Sequence, residues 1–132
     1  MVRLLRLEDG SCEILALPDV PDGIKDIPDA RSADRKKLVA LIKRCALNGI
    51  SQMPRKVFHH ANQQNDIWEF VAGNHRAYCF KEGGRLVVLT SIYRKKQQKA
   101  PKSEVSRAIR AKNDYLEAVK NGTLEITEGD QS

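Results

Sequence analysis

The spacing of apolar residues predicts two amphipathic helices. One begins at Ser32, a good N-cap, and its apolar residues recur at helical spacing up to an Asn48-Gly49 stop: Leu38, Val39, Leu41, Ile42, Cys45 and Ala46. A second stripe of the same period follows Pro101 and continues to Asn121-Gly122. Proline is well tolerated at the start of a helix, so we expect the second helix to begin there.

Between these helices, three runs alternate apolar and polar residues in the manner of strands. They cover 66–71, 75–80 and 85–92, and each of the two turns between them contains glycine. Short glycine-bearing turns join antiparallel neighbours, so the three runs predict an antiparallel meander.

The remaining segments have weaker patterns. Arg3 to Leu7 indicates a short strand, and Ser11 to Leu17 fits either a returning strand or a short helix. Residues 18–31 combine three prolines with acidic residues and indicate an irregular loop, and the polar stretch 50–65 indicates a second loop. The segment 123–132 has the composition of a short acidic tail.

These elements predict one α+β domain over residues 1–122, followed by the tail 123–132. We expect a small antiparallel sheet of three to four strands with the helices packed on one face.

Composition sharpens the picture through the distribution of charge. The chain of 132 residues carries a formal charge of +6. Residues 76–112 hold eleven Lys and Arg against two Glu, whereas 1–34 and 113–132 are both net acidic. A basic stretch between acidic ends is the pattern expected for a partner that carries phosphate, although a solvated helix face would look the same.

Several function classes lack their sequence patterns. No apolar run is long enough for a membrane span, and the three cysteines are far apart without a CxxC pair. We also find no glycine-rich phosphate loop, no metal-ligand spacing among the three histidines, and no motif around a serine nucleophile. We therefore expect a reduced, cytoplasmic domain without metal or small-molecule cofactor.

Arg76 is the most informative single residue, because an arginine inside a strand is costly unless it faces solvent, an anion or a carboxylate. Two interpretations of Arg76 are open: a phosphate ligand, and a partner of Glu69 across the sheet. His75 precedes it, so the two side chains of one strand should point to opposite faces.

Three short motifs in the second half of the chain carry a resemblance to a known family. They are Trp68-Glu69-Phe70, Arg76-Ala77-Tyr78-Cys79-Phe80, and, after the apolar strand Val87-Val88-Leu89, the run Lys95-Lys96-Gln97-Gln98-Lys99-Ala100-Pro101-Lys102-Ser103-Glu104-Val105. Together with the helix from Ser32, this pattern resembles the RelE/HigB superfamily of type II toxins, in particular its phage-derived HigB-like branch. The likeness covers about residues 32–118.

The resemblance implies a compact toxin fold and a ribosome-dependent mRNA endonuclease. Such an enzyme cleaves RNA without a metal, by attack of the 2′-OH, and is neutralised by a cognate helix-turn-helix antitoxin. The implied catalytic residues are Arg76, which would engage the scissile phosphate, with Lys95, Tyr93 and Glu69. The implied RNA contacts are Arg94, Lys96, Lys99 and Lys102.

Two departures from the family pattern leave the general acid and base open. Ser91 stands where this branch often has histidine, and Val71 stands where it often has arginine. The candidates for proton transfer are His59, His60, His75, Tyr93 and Glu69. Among these residue types, histidine has the ordinary pKa closest to neutral. The alternative function is a phage-derived RNA-binding or structural module that kept the fold without catalysis.

Overall fold

A computed structural model describes residues 2–96 and 101–129 of the chain. Its elements lie in the order of the sequence: β1 (Val2–Asp9), β2 (Glu13–Ala16), α1 (Val20–Lys25), α2 (Ser32–Asn48), β3 (Phe58–Asn62), β4 (Ile67–Ala72), β5 (His75–Glu82), β6 (Leu86–Arg94), α3 (Lys102–Asn121) and β7 (Leu124–Glu128). Short 3₁₀ turns at Asp29–Arg31 and Ile50–Gln52 flank α2.

All of these strands join one mixed sheet of seven strands, in the order β3-β4-β5-β6-β2-β1-β7. The meander β3 to β6 and the hairpin β1–β2 are antiparallel, whereas β2 pairs with β6, and β1 with β7, in parallel. The prediction of a three- to four-stranded antiparallel sheet is therefore wrong, although the fold is α+β. Local alternation identifies strands, but a parallel pairing between distant segments leaves no local signal.

The helices also do not share one face, as predicted, but cover both. On one face, α1 and α2 contribute Val20, Leu38 and Cys45 to a core with inward residues of β2 to β6. On the other face, α3 contributes Ala108 and Tyr115 to a second core. An apolar stripe shows that a helix is packed, but not which side of a sheet it covers.

Three segments adopt more structure than their composition suggests. The 18–31 loop contains α1, because Pro21 falls in the first turn, where its missing N–H is harmless. The 50–65 loop contains β3, a short and mostly polar strand at the edge of the sheet.

The expected acidic tail instead supplies β7, and charge pairing explains why it docks. Arg3 and Arg6 of β1 lie directly opposite Glu125 and Glu128 of β7. Each pair forms a salt bridge, and Arg6 also bonds Glu13 of β2 at 2.8 Å. Within the described ranges, no helix combines the length and apolar content needed to cross a bilayer.

Candidate functional site

The register of the meander brings the main predicted site residues to one face of the sheet. Glu69 lies opposite both His59 of β3 and Tyr78 of β5, and Arg76 lies opposite Tyr93 of β6. Side chains alternate along each strand, so all five belong to the face that α3 covers.

Arg76 is held in place by contacts on two sides. Its Nε lies 3.4 Å from Glu69 Oε1, and its Nη1 donates to the carbonyls of Gly73 and His75 at 2.7 and 3.0 Å. Only 13% of the Arg76 side chain is exposed. The structure thus forms the Arg76–Glu69 ion pair that the sequence offered as one alternative.

Glu69 links this arginine to a histidine. His59 Nε2 lies 2.9 Å from Glu69 Oε2, and His59 Nδ1 lies 2.8 Å from the Arg55 carbonyl oxygen. Because a carbonyl can only accept, Nδ1 is the donor in that contact, and Nε2 is left within hydrogen-bond distance of the Glu69 carboxylate. The resulting chain runs from His59 through Glu69 to Arg76, with Glu69 7% exposed and His59 42% exposed at its outer end.

Buried polar atoms without a hydrogen-bond partner lie in and near the linked side chains of His59, Glu69 and Arg76. Among the described residues, five buried side-chain atoms have no hydrogen-bond partner in the protein: Glu69 Oε1, Arg76 Nε, Tyr78 OH, Ser91 Oγ and Glu104 Oε2. We call these five residues the polar cluster. Burial of such a group without a partner costs about 1–3 kcal/mol, so a fold rarely concentrates several of them in one place.

The pairing of strands accounts for most of this concentration. Tyr78 lies opposite Glu69 on one side and opposite Ser91 on the other, and Glu104 comes from the first turn of α3. Burial, and then the negative charge of Glu69, raise the pKa of Tyr78, with Glu104 adding a smaller effect in the same direction. Tyr78 therefore stays a neutral hydroxyl that can both donate and accept.

The other predicted residues are dispersed. Tyr93 is half-buried, with its ring centroid 6.4 Å from that of Tyr78. Arg94 is exposed and lies opposite His75, on the face of the sheet away from Arg76. The Lys95 N–H donates to the Asn74 carbonyl at 2.6 Å, which keeps this residue beside the turn that holds Arg76.

The remaining predicted cations that the structure describes are exposed. Lys96 follows β6 and is exposed, and Lys102 is the exposed first residue of α3. Lys99 lies outside the described residues. The basic stretch 76–112 is thus divided between the two faces of the sheet, which its position in the sequence did not reveal.

A second pair fixes the β4–β5 turn from the opposite face. Asp34, near the start of α2, accepts from the Asn74 N–H at 3.2 Å and lies 2.9 Å from His75 Nδ1. The bond to His75, and then that to Asn74, lower the pKa of Asp34. His75 therefore anchors the turn whose carbonyls hold Arg76, and it does not itself face the polar cluster.

The sequence argument identified Glu69, Arg76 and Tyr93, but it did not single out Tyr78, Glu104 or Asp34 as members of a site. Strand alternation was the available signal for Tyr78, because positions 76 and 78 lie on one face of β5 and their partners 93 and 91 lie on the same face of β6. Glu104 falls at the glutamate of the family pattern that follows Pro101, although that pattern gives it no role, whereas nothing local indicates Asp34, which reaches its neighbours from a helix packed on the sheet.

Comparison with curated proteins finds no match for this chain. The sequence model of the family described as phage-derived protein Gp49-like (DUF891) matches residues 23–113, which is more than half of the chain and includes α2 and the whole meander. Residues 23–113 also contain every member of the polar cluster. The chain therefore belongs to the Gp49-like phage-derived protein family, which is related to the type II toxins of toxin–antitoxin systems.

Proposed function

We propose that this protein is the toxin of a type II toxin–antitoxin system, of the HigB-like kind, and that it cleaves mRNA on the ribosome. The family relationship supports the toxin class. The observation that carries the enzymatic part is the polar cluster, in which an arginine, two carboxylates and two hydroxyls lie on the side of the sheet that α3 covers, with a histidine beside one of the carboxylates.

The proposed reaction is attack of a ribose 2′-OH on the adjacent phosphorus. The 2′-oxygen forms the new P–O bond, and the bond to the 5′-oxygen breaks, giving a 2′,3′-cyclic phosphate and a 5′-OH. The protein must align the attacking oxygen, accept its proton, stabilise charge on the phosphate and return a proton to the leaving oxygen.

The residues of the site suit these steps. Glu69 is the proposed base, because its Oε1 has no hydrogen-bond partner among the described residues. Arg76 is the proposed phosphate ligand, since its Nε–H makes no hydrogen bond beyond the 3.4 Å ion pair with Glu69, and guanidinium binds phosphate strongly. The His59 side chain, which reaches Glu69 and is partly exposed, is the proposed proton donor to the 5′-oxygen.

The proposed partners are mRNA on the ribosome and a cognate helix-turn-helix antitoxin. Lys95, Lys96 and Lys102 would contact the RNA backbone beyond the site, with Tyr93 next to the reacting group. Each phosphate contact releases counterions, so we expect binding to ribosomes or RNA to weaken between about 50 and 200 mM salt.

The test is cleavage of a defined mRNA in a reconstituted translation reaction, with the products mapped by primer extension and their ends analysed chemically. Glu69→Gln and Arg76→Lys should reduce the cleavage rate by at least about a hundredfold, in the range found for positioned acid–base and electrostatic groups. Lys37→Ala is the matched control, because Lys37 is an exposed cation on α2, on the other face of the sheet. Absence of cleavage by the folded wild-type chain, or equal rates for folded Glu69→Gln and wild type, would refute the proposal.

One observation favours a second candidate, a non-catalytic RNA-binding or structural module. Arg76 and Glu69 are paired with each other and largely buried, which is also how a structural ion pair looks. In that case Arg76→Lys would lower the thermal stability, and the wild-type chain would bind RNA without cutting it or arresting growth.

A further inference from the structure

A groove lies on the face of the molecule away from the polar cluster, between α1, α2 and the end of β1. Its volume is about 650 Å³, and its floor is apolar, formed by Leu7, Ile24, Val39 and Ile42 with Pro21 at one side. These side chains come from three elements of the folded domain, since α2 packs against β1 and α1 packs against β6.

The rim of the groove is strongly basic. Lys25, Arg35, Lys36 and Lys43 line it, against the single carboxylate of Glu8. Arg35 is held by the Ile27 carbonyl at 2.7 Å and by Asp29. Of the residues that the structure describes, no carboxylate forms an ion pair with Lys25, Lys36 or Lys43.

Three of the residues that line the groove lie on one face of α2, and the same face continues beyond the groove to Leu47. Lys36, Ala40, Lys43 and Leu47 follow the i, i+4, i+7, i+11 spacing of one helix face. Leu47 is 72% exposed, the most exposed of the large apolar side chains. From Lys36 to Leu47 this line is about 16 Å long at 1.5 Å per residue, or three helical turns.

We propose that this groove docks an amphipathic helix of a protein partner, with apolar side chains on the floor and acidic side chains toward the lysines. Helix-in-groove recognition uses anchors at i, i+3, i+4 and i+7, which a strip of this length accommodates. The unpaired lysines supply the charge complementarity that would select acidic flanks and orient them.

The same cations would attract RNA, but the floor favours a protein. Sequence-tolerant binding of single strands uses aromatic side chains on which bases stack, and no aromatic residue lines the groove. Aliphatic side chains instead gain free energy by burial against another apolar surface. This proposal does not rest on RNA cleavage, because the groove and the polar cluster lie on opposite faces of the sheet.

The experiment uses the full chain and a labelled synthetic peptide of about 16 residues, long enough to form a helix in mild co-solvent. Leucines occupy one face of the peptide and glutamates flank them, and a second peptide has the same composition in scrambled order. Fluorescence anisotropy gives the Kd for each. We expect the amphipathic peptide to bind at least about tenfold more tightly than the scrambled one, a difference of 1.4 kcal/mol.

Charge reversals on α2 provide a matched pair of variants. Lys36→Glu/Lys43→Glu changes the rim and should weaken binding of the amphipathic peptide by at least about tenfold. Lys37→Glu/Arg44→Glu makes the same change in net charge, at the same spacing, a quarter turn around the same helix, and should leave the Kd within about twofold. All four side chains are exposed, so both variants are expected to fold.

Three results would overturn the proposal. The first is equal affinity for the amphipathic and scrambled peptides. The second is an equal loss of affinity for the amphipathic peptide in the two double variants. The third is binding of an RNA oligonucleotide, with an affinity that falls in Lys36→Glu/Lys43→Glu, when the amphipathic peptide does not bind. The Glu69→Gln variant should bind the amphipathic peptide with unchanged affinity. That result would show that peptide binding is independent of the proposed cleavage site, so the two proposals can fail separately.

Discussion

Two glycines with the same backbone conformation offer a direct measure of how Asp34 holds the β4–β5 turn. Gly73 has φ +62° and Gly83 has φ +61°, both in the left-handed region. A Cβ at Gly83 would meet nothing within 4 Å, whereas a Cβ at Gly73 would overlap the Asp34 carboxylate. Alanine therefore imposes the same backbone strain at both positions but a collision at only one.

The expected magnitudes follow from these contacts. Alanine in the left-handed region costs about 1 kcal/mol, which is the whole effect expected for Gly83→Ala. Gly73→Ala also displaces Asp34 from the Asn74 N–H and from His75, and hydrogen bonds to a charged group contribute about 1.5–3 kcal/mol. We therefore expect Gly73→Ala to reduce the free energy of unfolding by about 3–4 kcal/mol, roughly 2–3 kcal/mol more than Gly83→Ala.

Urea unfolding followed by tryptophan fluorescence is the assay, because Trp68 of β4 is the only tryptophan and stacks on Phe58. At about 2 cal/mol/K per residue, the difference between the two variants corresponds to about 7–10 °C in Tm. In the Asp34→Ala background the extra cost of Gly73→Ala should disappear. Equal destabilisation by the two alanines, or a difference that persists without the Asp34 carboxylate, would refute this account of the turn.

Three further predictions concern buried polar groups and thiols. Tyr78→Phe removes an unpartnered hydroxyl, so it should leave the free energy of unfolding unchanged or raise it by up to about 1 kcal/mol, while lowering any cleavage rate; a large loss of stability in thermal melts would contradict this. Asp34 has a lowered pKa in the folded chain, so its contribution to stability is present above its ordinary pKa of 3.8 and is lost as the pH falls through the lower folded value. Asp34→Asn should therefore be destabilised at neutral pH and show a flatter acid limb than wild type in urea titrations between pH 5 and about 2. Cys12, Cys45 and Cys79 are all buried, so a thiol reagent should label them slowly in buffer and rapidly in denaturant, and fast labelling of the native chain would show that the core opens.

The sequence predicts those parts of the fold that depend on local alternation. The helix from Ser32, the helix after Pro101 and the three strands of the meander are confirmed, because their apolar residues face one core at the period of the element. The strand β3 has only Phe58 as a strongly apolar inward residue, and β7 is stabilised by facing arginines rather than by an apolar pattern. Neither property is visible within a short window of sequence.

The site shows the same division. Alternation places Glu69, Arg76 and Tyr93 on one face, since each lies in the meander. Glu104 and Asp34 join their neighbours through packing of α3 and α2, which depends on where each helix crosses the sheet. Arg94 lies one residue after Tyr93, and that single step places it on the opposite face although the two are neighbours in a basic run.

The parallel pairing of β2 with β6 has a consequence for the order of folding during synthesis. Glu13 pairs with Leu86 and Ala16 with Leu89, so the hairpin β1–β2 leaves the ribosome long before its neighbour in the sheet exists. Until β6 emerges, β2 presents an unpaired edge whose residues Ile14 to Ala16 are fully buried in the finished molecule. Loop closure over so many residues is slow relative to hairpin formation, and unpaired apolar edges are where nascent chains associate wrongly. The nascent hairpin is therefore the segment that benefits most from a chaperone, or from rapid synthesis of the segment from β3 to β6.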